Sequence, residues 1–165
     1  KKDGLFSVRT VVENLTSPAL DRVTPRGWLN RRTEKDLATN LARFFLINVN
    51  RLGHPAGTLS GGNQQKVALG KWLGVEPVVL LVEEPTIGVD VGARADIYAH
   101  LRQMANEGMA VVFASSDIQE VLGLADTIAT FYHGKLINTY SAGEADTTRL
   151  TMDVTSPDEK VEGAA

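Results

Sequence analysis

Nine consecutive residues, Leu59-Ser60-Gly61-Gly62-Asn63-Gln64-Gln65-Lys66-Val67, carry the most specific chemistry in the sequence. A Ser-Gly-Gly turn opening a helix is an anion site: Ser60 brings a hydroxyl, and the glycines let backbone amides approach phosphate oxygens closely. The helix N-terminus adds roughly half a positive charge. Taken alone, Ser-Gly-Gly is more often an ordinary N-cap softened by glycine. Downstream, Leu80-Leu81-Val82-Glu83-Glu84-Pro85-Thr86 brings two acids to the end of an apolar run. Carboxylates there can hold a hydrated Mg²⁺ and orient an attacking water, or can simply be a solvated strand end. Asp90, after Gly88-Val89, has the type and place of a helix N-cap. His54, His100 and His133 share no ligand spacing and read as surface or turn residues, so no metal cluster is arguable from them.

These groups need a scaffold, and the sequence supplies two kinds. In the first half, Ser7 can cap a short helix through Asn14, and Ser17–Arg32, with Pro18, Pro25 and Gly27, reads as an irregular connection. Thr33 then looks like the N-cap of a helix whose stripe is Leu37, Ala38, Leu41, Ala42 and Phe45, running to about Asn48. A further helix from Gly61 to Leu73 turns Ala68, Leu69, Trp72 and Leu73 to one face and stops at Gly74. The second half alternates. Val78–Val82 is a continuous apolar run, as in a strand buried on both faces. A helix follows from about Val91 to Asn106, with Ile97, Leu101 and Met104 inward and Gly108 at its end. Ala110–Ala114, a helix over 117–124, Thr127–Tyr132, a His133-Gly134 turn and Leu136–Tyr140 complete the pattern. Such a rhythm predicts βαβ crossovers and a mostly parallel sheet, with ligands beyond the carboxyl ends of its strands. After about Ala142 the chain is polar and is expected to be loosely ordered.

Composition narrows the classes. At 165 residues the chain fits one ordinary domain, and 43% hydrophobic with 22% charged residues is globular. Seventeen basic against twenty acidic residues leave a net charge of −3, which removes the electrostatic case for a general nucleic-acid binder. Without cysteine there is no disulfide framework, thiolate metal site or cysteine nucleophile. The apolar runs are strand-sized and residues 1–20 lack a signal-peptide core, so a soluble intracellular protein is the default expectation. The chain opens without methionine, in mid-pattern, as a fragment would.

The full run Leu59–Val67 resembles the signature motif of ATP-binding cassette (ABC) ATPases. Its form with Asn63 and Lys66 is similar to the second cassette of tandem sugar-import ATPases. The resemblance implies that Ser60, Gly61, Gly62 and Gln64 contact ATP held by an opposing cassette. Leu80–Thr86 resembles the Walker B motif, which implies catalysis by Glu84 and a water-mediated Mg²⁺ contact by Glu83. The family's first acid is Asp, so Glu83 is one methylene longer than the pattern. Gly88–Arg94 resembles the D-loop, with Asp90 as the acid that communicates across the dimer. In Ala114-Ser115-Ser116-Asp117, Ser116 stands where the family keeps a switch histidine; a hydroxyl can bond phosphate but supplies no cationic imidazole. The resemblance extends from about Lys1 to Tyr140.

No Gly-x-x-x-x-Gly-Lys-Ser/Thr occurs in the 165 residues. The implied fold is therefore a partial P-loop NTPase: α/β, with a helical signature subdomain (1–75), a Walker B-to-switch part of the core (76–142), a loose tail (143–165) and no P-loop strand. The implied function is the ATP-binding, energising subunit of a carbohydrate importer, with ATP and Mg²⁺ as cofactors. Its expected partners are another cassette, transmembrane permease subunits and, indirectly, a periplasmic sugar-binding protein, with no nucleic acid. Its expected place is peripheral, on the cytoplasmic face of the membrane. The 165 residues alone are expected to be inactive. Two alternatives are a non-transport ABC protein, against which the absence of sustained heptads in residues 33–74 speaks, and a catalytically silent interaction remnant.

Overall fold

Thr10, not Ser7, starts the first helix. In the computed structural model, which describes residues 4–156, α1 (Val11–Thr16) opens on a capping box. The Thr10 side chain accepts from the Glu13 amide, and the Glu13 carboxylate accepts from the Thr10 amide at 2.8 Å. Two orphan donors are satisfied reciprocally, which a lone serine at position 7 cannot do. The irregular connection holds two single turns, Ser17–Ala19 and Pro25–Gly27, around a one-turn α2 (Leu20–Val23). Next, α3 (Arg31–Phe44) is capped by Asn30, whose carboxamide accepts from the Arg32 and Thr33 amides, so the start lies upstream of Thr33. Leu46 takes φ 54° and ends it short of Asn48.

The predicted helix over 61–73 is present as α4 (Gly61–Leu73), capped by Ser60 and closed at Gly74. Its buried side is Gly62, Lys66, Val67, Leu69 and Gly70, whereas Trp72 is 47% exposed with the Lys71 ammonium 5.0 Å from its ring centre. The reason is steric. A Cβ on Gly70 would lie 2.9 Å from Phe45 Cδ2 and 3.2 Å from Leu15 Cδ2. The missing side chain seats α4 on α1 and α3, around buried Val11, Leu15, Leu41, Phe45 and Val67.

From here β1 (Val79–Glu83), α5 (Val91–Asn106) and β2 (Ala110–Ala114) form a strand–helix–strand crossover, with the two strands paired in one sheet. The α5 stripe is as expected, with Ile97, Leu101 and Met104 buried and Gly108 at φ 98° beyond its end. His100 is buried among them, which corrects its reading as a surface residue. Nor is β1 buried on both faces. Leu80 is inside, but Val79 and Leu81 are 51% and 74% exposed. Among the described residues β1 has one partner strand, so the cover expected of a central strand is incomplete.

The chain forms two compact units divided between Phe113 and Ala114, so α1–α4 share a unit with β1 and α5. In the second unit, Asp117 caps α6 (Ile118–Leu124). An antiparallel hairpin follows: β3 (Thr127–Tyr132) pairs with β4 (Lys135–Ser141), with a bulge after Thr130. His133 and Gly134 both take positive φ, 48° and 77°, as a tight hairpin turn requires. The expectation of a loose tail fails for α7 (Thr147–Thr155), which packs on β3 and α6. Asp153 is the cause: its buried carboxylate accepts from Thr130 Oγ1, Asn138 Nδ2 and Tyr140 Oη, each at 2.8 Å. Burial pushes this acid's pKa up, but the three donors outweigh it and hold the pKa below the usual carboxylate range. The rest of the expected tail, residues 157–165, lies outside the described residues.

Candidate functional site

The site begins at the head of α4. Ser60 sits at extended φ/ψ and is exposed, and its Oγ accepts from the Asn63 amide at 3.5 Å and from Asn63 Nδ2 at 2.9 Å. With those acceptor positions taken, its O–H remains to donate to an anion. The first amides of the turn have no partner within a helix, and the helix dipole favours negative charge there. Gln64 plays a different part. Its carboxamide donates to Leu59 O at 2.8 Å and to Gly57 O at 3.4 Å, bracing the approach to the helix.

Gly62 serves packing. It is buried, and a Cβ on it would stand 2.6 Å from Ala93 Cβ and 3.6 Å from Asp90 Oδ2. The head of α4 therefore lies directly on the head of α5. Asp90 caps that helix, its Oδ1 accepting from the Ala93 amide at 3.0 Å, and is otherwise exposed. The structure thus brings Gly62 beside Asp90, residues 28 positions apart in the sequence.

Glu83 closes β1 and is exposed, and half-buried Glu84 follows. Glu84 takes φ 47°, a left-handed conformation that side-chain-bearing residues seldom adopt, and the Ile87 amide donates to its carbonyl at 3.3 Å. Held strain of this kind gathers at functional sites. Among the described residues, no group of three or more His, Cys, Asp and Glu could hold a metal ion. Glu83 and Glu84 are thus not a metal cage in themselves. Ser116 belongs to the second unit and is exposed, one residue after Ser115, whose Oγ accepts from the Asp117 amide at 3.0 Å.

Three residues that sequence reasoning left out of the site lie against it. Lys66, one turn along α4, is buried and donates from Nζ to Asp96 Oδ2 of α5 at 2.7 Å. That hydrogen bond, and then the ammonium charge, hold Asp96 below the usual carboxylate range. His100 follows one turn later, its ring 4.9 Å from that of Phe45 and 5.3 Å from that of Phe44. Its Nε2 is buried without a hydrogen-bond partner. Burial first, and then Lys66, depress its pKa. His100 was findable, since it falls on the Ile97–Leu101–Met104 stripe. The Lys66–Asp96 pair was not, because its members are far apart in the sequence.

No protein-family model matches the chain. Curated proteins do. It is 34% identical over 161 residues to the ribose import ATP-binding protein of Halalkalibacterium halodurans, covering 98% of the chain and 32% of that protein. It is 38% identical over 155 residues to a ribose import ATP-binding protein of Rubrobacter xylanophilus, covering 94% of the chain and 30% of that protein. The chain spans about a third of the length of the curated relatives it matches. Among solved structures it is similar to the dimeric post-hydrolysis state of the ATP-binding cassette MJ0796 bound to ADP and Pi, with TM-score 0.73, 23% identity and coverage of 84% of this chain and 59% of that one. The dimeric structure of MJ0796 described as a bacterial ABC transporter cassette gives TM-score 0.74 at 23% identity, covering 86% and 60%.

Proposed function

This chain is a homologue of the ribose import ATP-binding proteins and has the ABC ATPase fold, and on that premise we propose that it is part of the ATP-hydrolysing subunit of a carbohydrate importer. Its role there is to present the head of α4 to the γ-phosphate of ATP held by another cassette. The observation that carries this reading is exposed Ser60 capping a glycine-opened helix at the head of Leu59–Val67. Ser60 donates its O–H, and the amides of Gly61 and Gly62 add donors backed by the helix dipole. Gln64 acts indirectly, holding the turn in place. Asp90 stands at the joint between α4 and α5, where a change at the phosphate is passed on.

In the cassette's own site Glu84, held in a left-handed backbone conformation, orients the attacking water. Mg²⁺, when bound, offsets phosphate charge. Glu83 would hold the ion through its water shell. Ser116 at the switch position bonds phosphate without the imidazole's charge, which makes this cassette's own site the weaker of a pair. Partners in this reading are a second cassette, permease subunits and, indirectly, a periplasmic sugar-binding protein. The chain works at the cytoplasmic face of the membrane; among the described residues no helix is long and apolar enough to cross it.

The test is Ser60→Ala with Gly61→Asp in the assembled transporter. Each lost oxyanion-type donor costs about 2.7–4 kcal/mol of barrier, and the new carboxylate repels phosphate, so turnover is abolished with assembly intact. Phosphate release at the normal rate from a correctly assembled double variant would refute the reading.

A further inference from the structure

Lys66 sits one helical turn from the phosphate-facing end of α4, where an exposed lysine would be read as a phosphate ligand. Its side chain is only 7% exposed, and its ammonium is committed to Asp96 Oδ2 at 2.7 Å. It therefore acts within the chain. Two of the contacts between α4 and α5 matter here. The first is the close approach of Gly62 to Ala93, and the second is Lys66 to Asp96. Lys66 lies four positions after Gly62 and Asp96 three positions after Ala93, so each pair of positions lies on one face of its helix. The two contacts form a seam of one turn running back from the heads of both helices.

We propose that the Lys66–Asp96 ion pair is a positioning contact that fixes the Ser60-capped turn of α4 to the Asp90-capped turn of α5, so that the two ends respond to a bound nucleotide as one body. The inference rests on the reading that Ser60 meets phosphate. The Gly62 contact sets how closely the helices approach but carries no charge or direction; the ion pair one turn further along adds a directional tie. The ammonium is desolvated, so it cannot swing out to water without its carboxylate being replaced, and this gives the tie a direction as well as a strength. Asp96 is half-exposed, its side chain 43% accessible, which leaves it able to follow the lysine. His100, next along α5, places an aromatic stop against Phe44 and Phe45 behind the pair.

The experiment uses the assembled transporter with Lys66→Met, Lys66→Arg and the charge-exchanged Lys66→Glu/Asp96→Lys. Displacing a positioning group by well under an ångström predicts about a tenfold fall in kcat for Lys66→Met, with KM changed less than about twofold. Lys66→Arg and the exchanged pair recover most of the loss. Amide hydrogen exchange supplies a readout apart from turnover: in Lys66→Met the first turns of α4 and α5 exchange faster together, while the β3–β4 hairpin is unchanged as a control for folding. Unaltered kcat, or loosening of α4 without α5, overturns the proposal. If Ser60→Ala/Gly61→Asp leaves turnover intact, the phosphate reading falls; joint loosening of α4 and α5 in Lys66→Met still tests the tie.

Discussion

A Cβ on Gly62 would stand 2.6 Å from the Cβ of Ala93, closer than carbon atoms in folded proteins come. In an open helix Gly→Ala is stabilising by up to about 1 kcal/mol. Here the sign reverses. Gly62→Ala is expected to cost about 1–3 kcal/mol, as overpacking does, because α4 and α5 must part to admit the methyl group. Gly62→Ala with Ala93→Gly returns the space and recovers most of the loss. Urea unfolding of the three proteins checks this, and an unchanged midpoint for the single variant would show that the helices separate freely.

His100 makes the first unit sensitive to acid. Its imidazole is buried, with Nε2 unpartnered, and burial followed by the Lys66 charge holds its pKa below the ordinary 6.5. The folded state prefers the neutral ring. Above 6.5 both folded and unfolded chains are neutral there, and this contribution to stability is complete. As pH falls below 6.5 the unfolded chain takes the proton first, and stability drops until the folded pKa is passed. Asp96, whose pKa is lowered from 3.8, titrates below that window. His100→Leu should flatten the decline below pH 6.5, measured as the thermal midpoint across pH. An equal decline in both proteins would assign the sensitivity elsewhere.

Local chemistry explains which elements were legible. Ser60 and Gly74 bracket α4, and Asp90 and Gly108 bracket α5, so both helices could be read from sequence with their ends. The first helix was misread at Ser7 although Thr10-Val11-Val12-Glu13 spells a capping box, a signal that only the pairing of both residues reveals. Long-range relations left no local trace. Asp153 gathers donors from Thr130, Asn138 and Tyr140, and nothing in the polar segment around it announces a helix anchored to a hairpin. The apolar run of β1 predicted burial, but burial depends on neighbours, and here Leu81 is mostly exposed. At the candidate site, residue types and spacing were readable. The division of labour was not: Gln64 braces a loop, Gly62 packs on Ala93, and Lys66 points inward.

Asp153 should be the residue on which the second unit depends. Asp153→Ala removes the shared acceptor of three donors: Asn138 Nδ2 and Tyr140 Oη lose it, and the buried Thr130 hydroxyl keeps only its long 3.4 Å contact to Asn138 O. A buried polar group left unpaired costs about 1–3 kcal/mol. The loss should appear as faster amide exchange in α7 and in β3–β4, with α3 and α4 of the first unit unaffected. Tyr140 supplies a second reading. Its hydrogen bond to Asp153, aided by burial, raises the phenol pKa, so in Asp153→Ala its ultraviolet titration should move down toward 10. A phenol that titrates identically in both proteins would contradict the network.

The 165-residue chain by itself should neither bind Mg-ATP tightly nor hydrolyse it. Tight binding of a triphosphate needs many donors wrapped around the chain of phosphates, and these residues contain no Gly-x-x-x-x-Gly-Lys-Ser/Thr loop to provide them. The head of α4 offers Ser60 and a few amides to one end of a nucleotide, and pairing two such chains would face two α4 heads with no cradle between them. Glu84 can orient a water, but orientation accelerates nothing when the phosphate is not held. The sheet adds a practical complication, since Val79, Leu81 and Val112 are all more than half exposed and favour self-association. The measurement is therefore made on material shown by light scattering to be monomeric, with calorimetry of Mg-ATP binding beside phosphate release. The expected result is weak or absent heat of binding and release no faster than from Glu84→Gln. Micromolar affinity with turnover above that control would mean that a complete site lies within these residues, and that the head of α4 serves its own chain's nucleotide rather than another's.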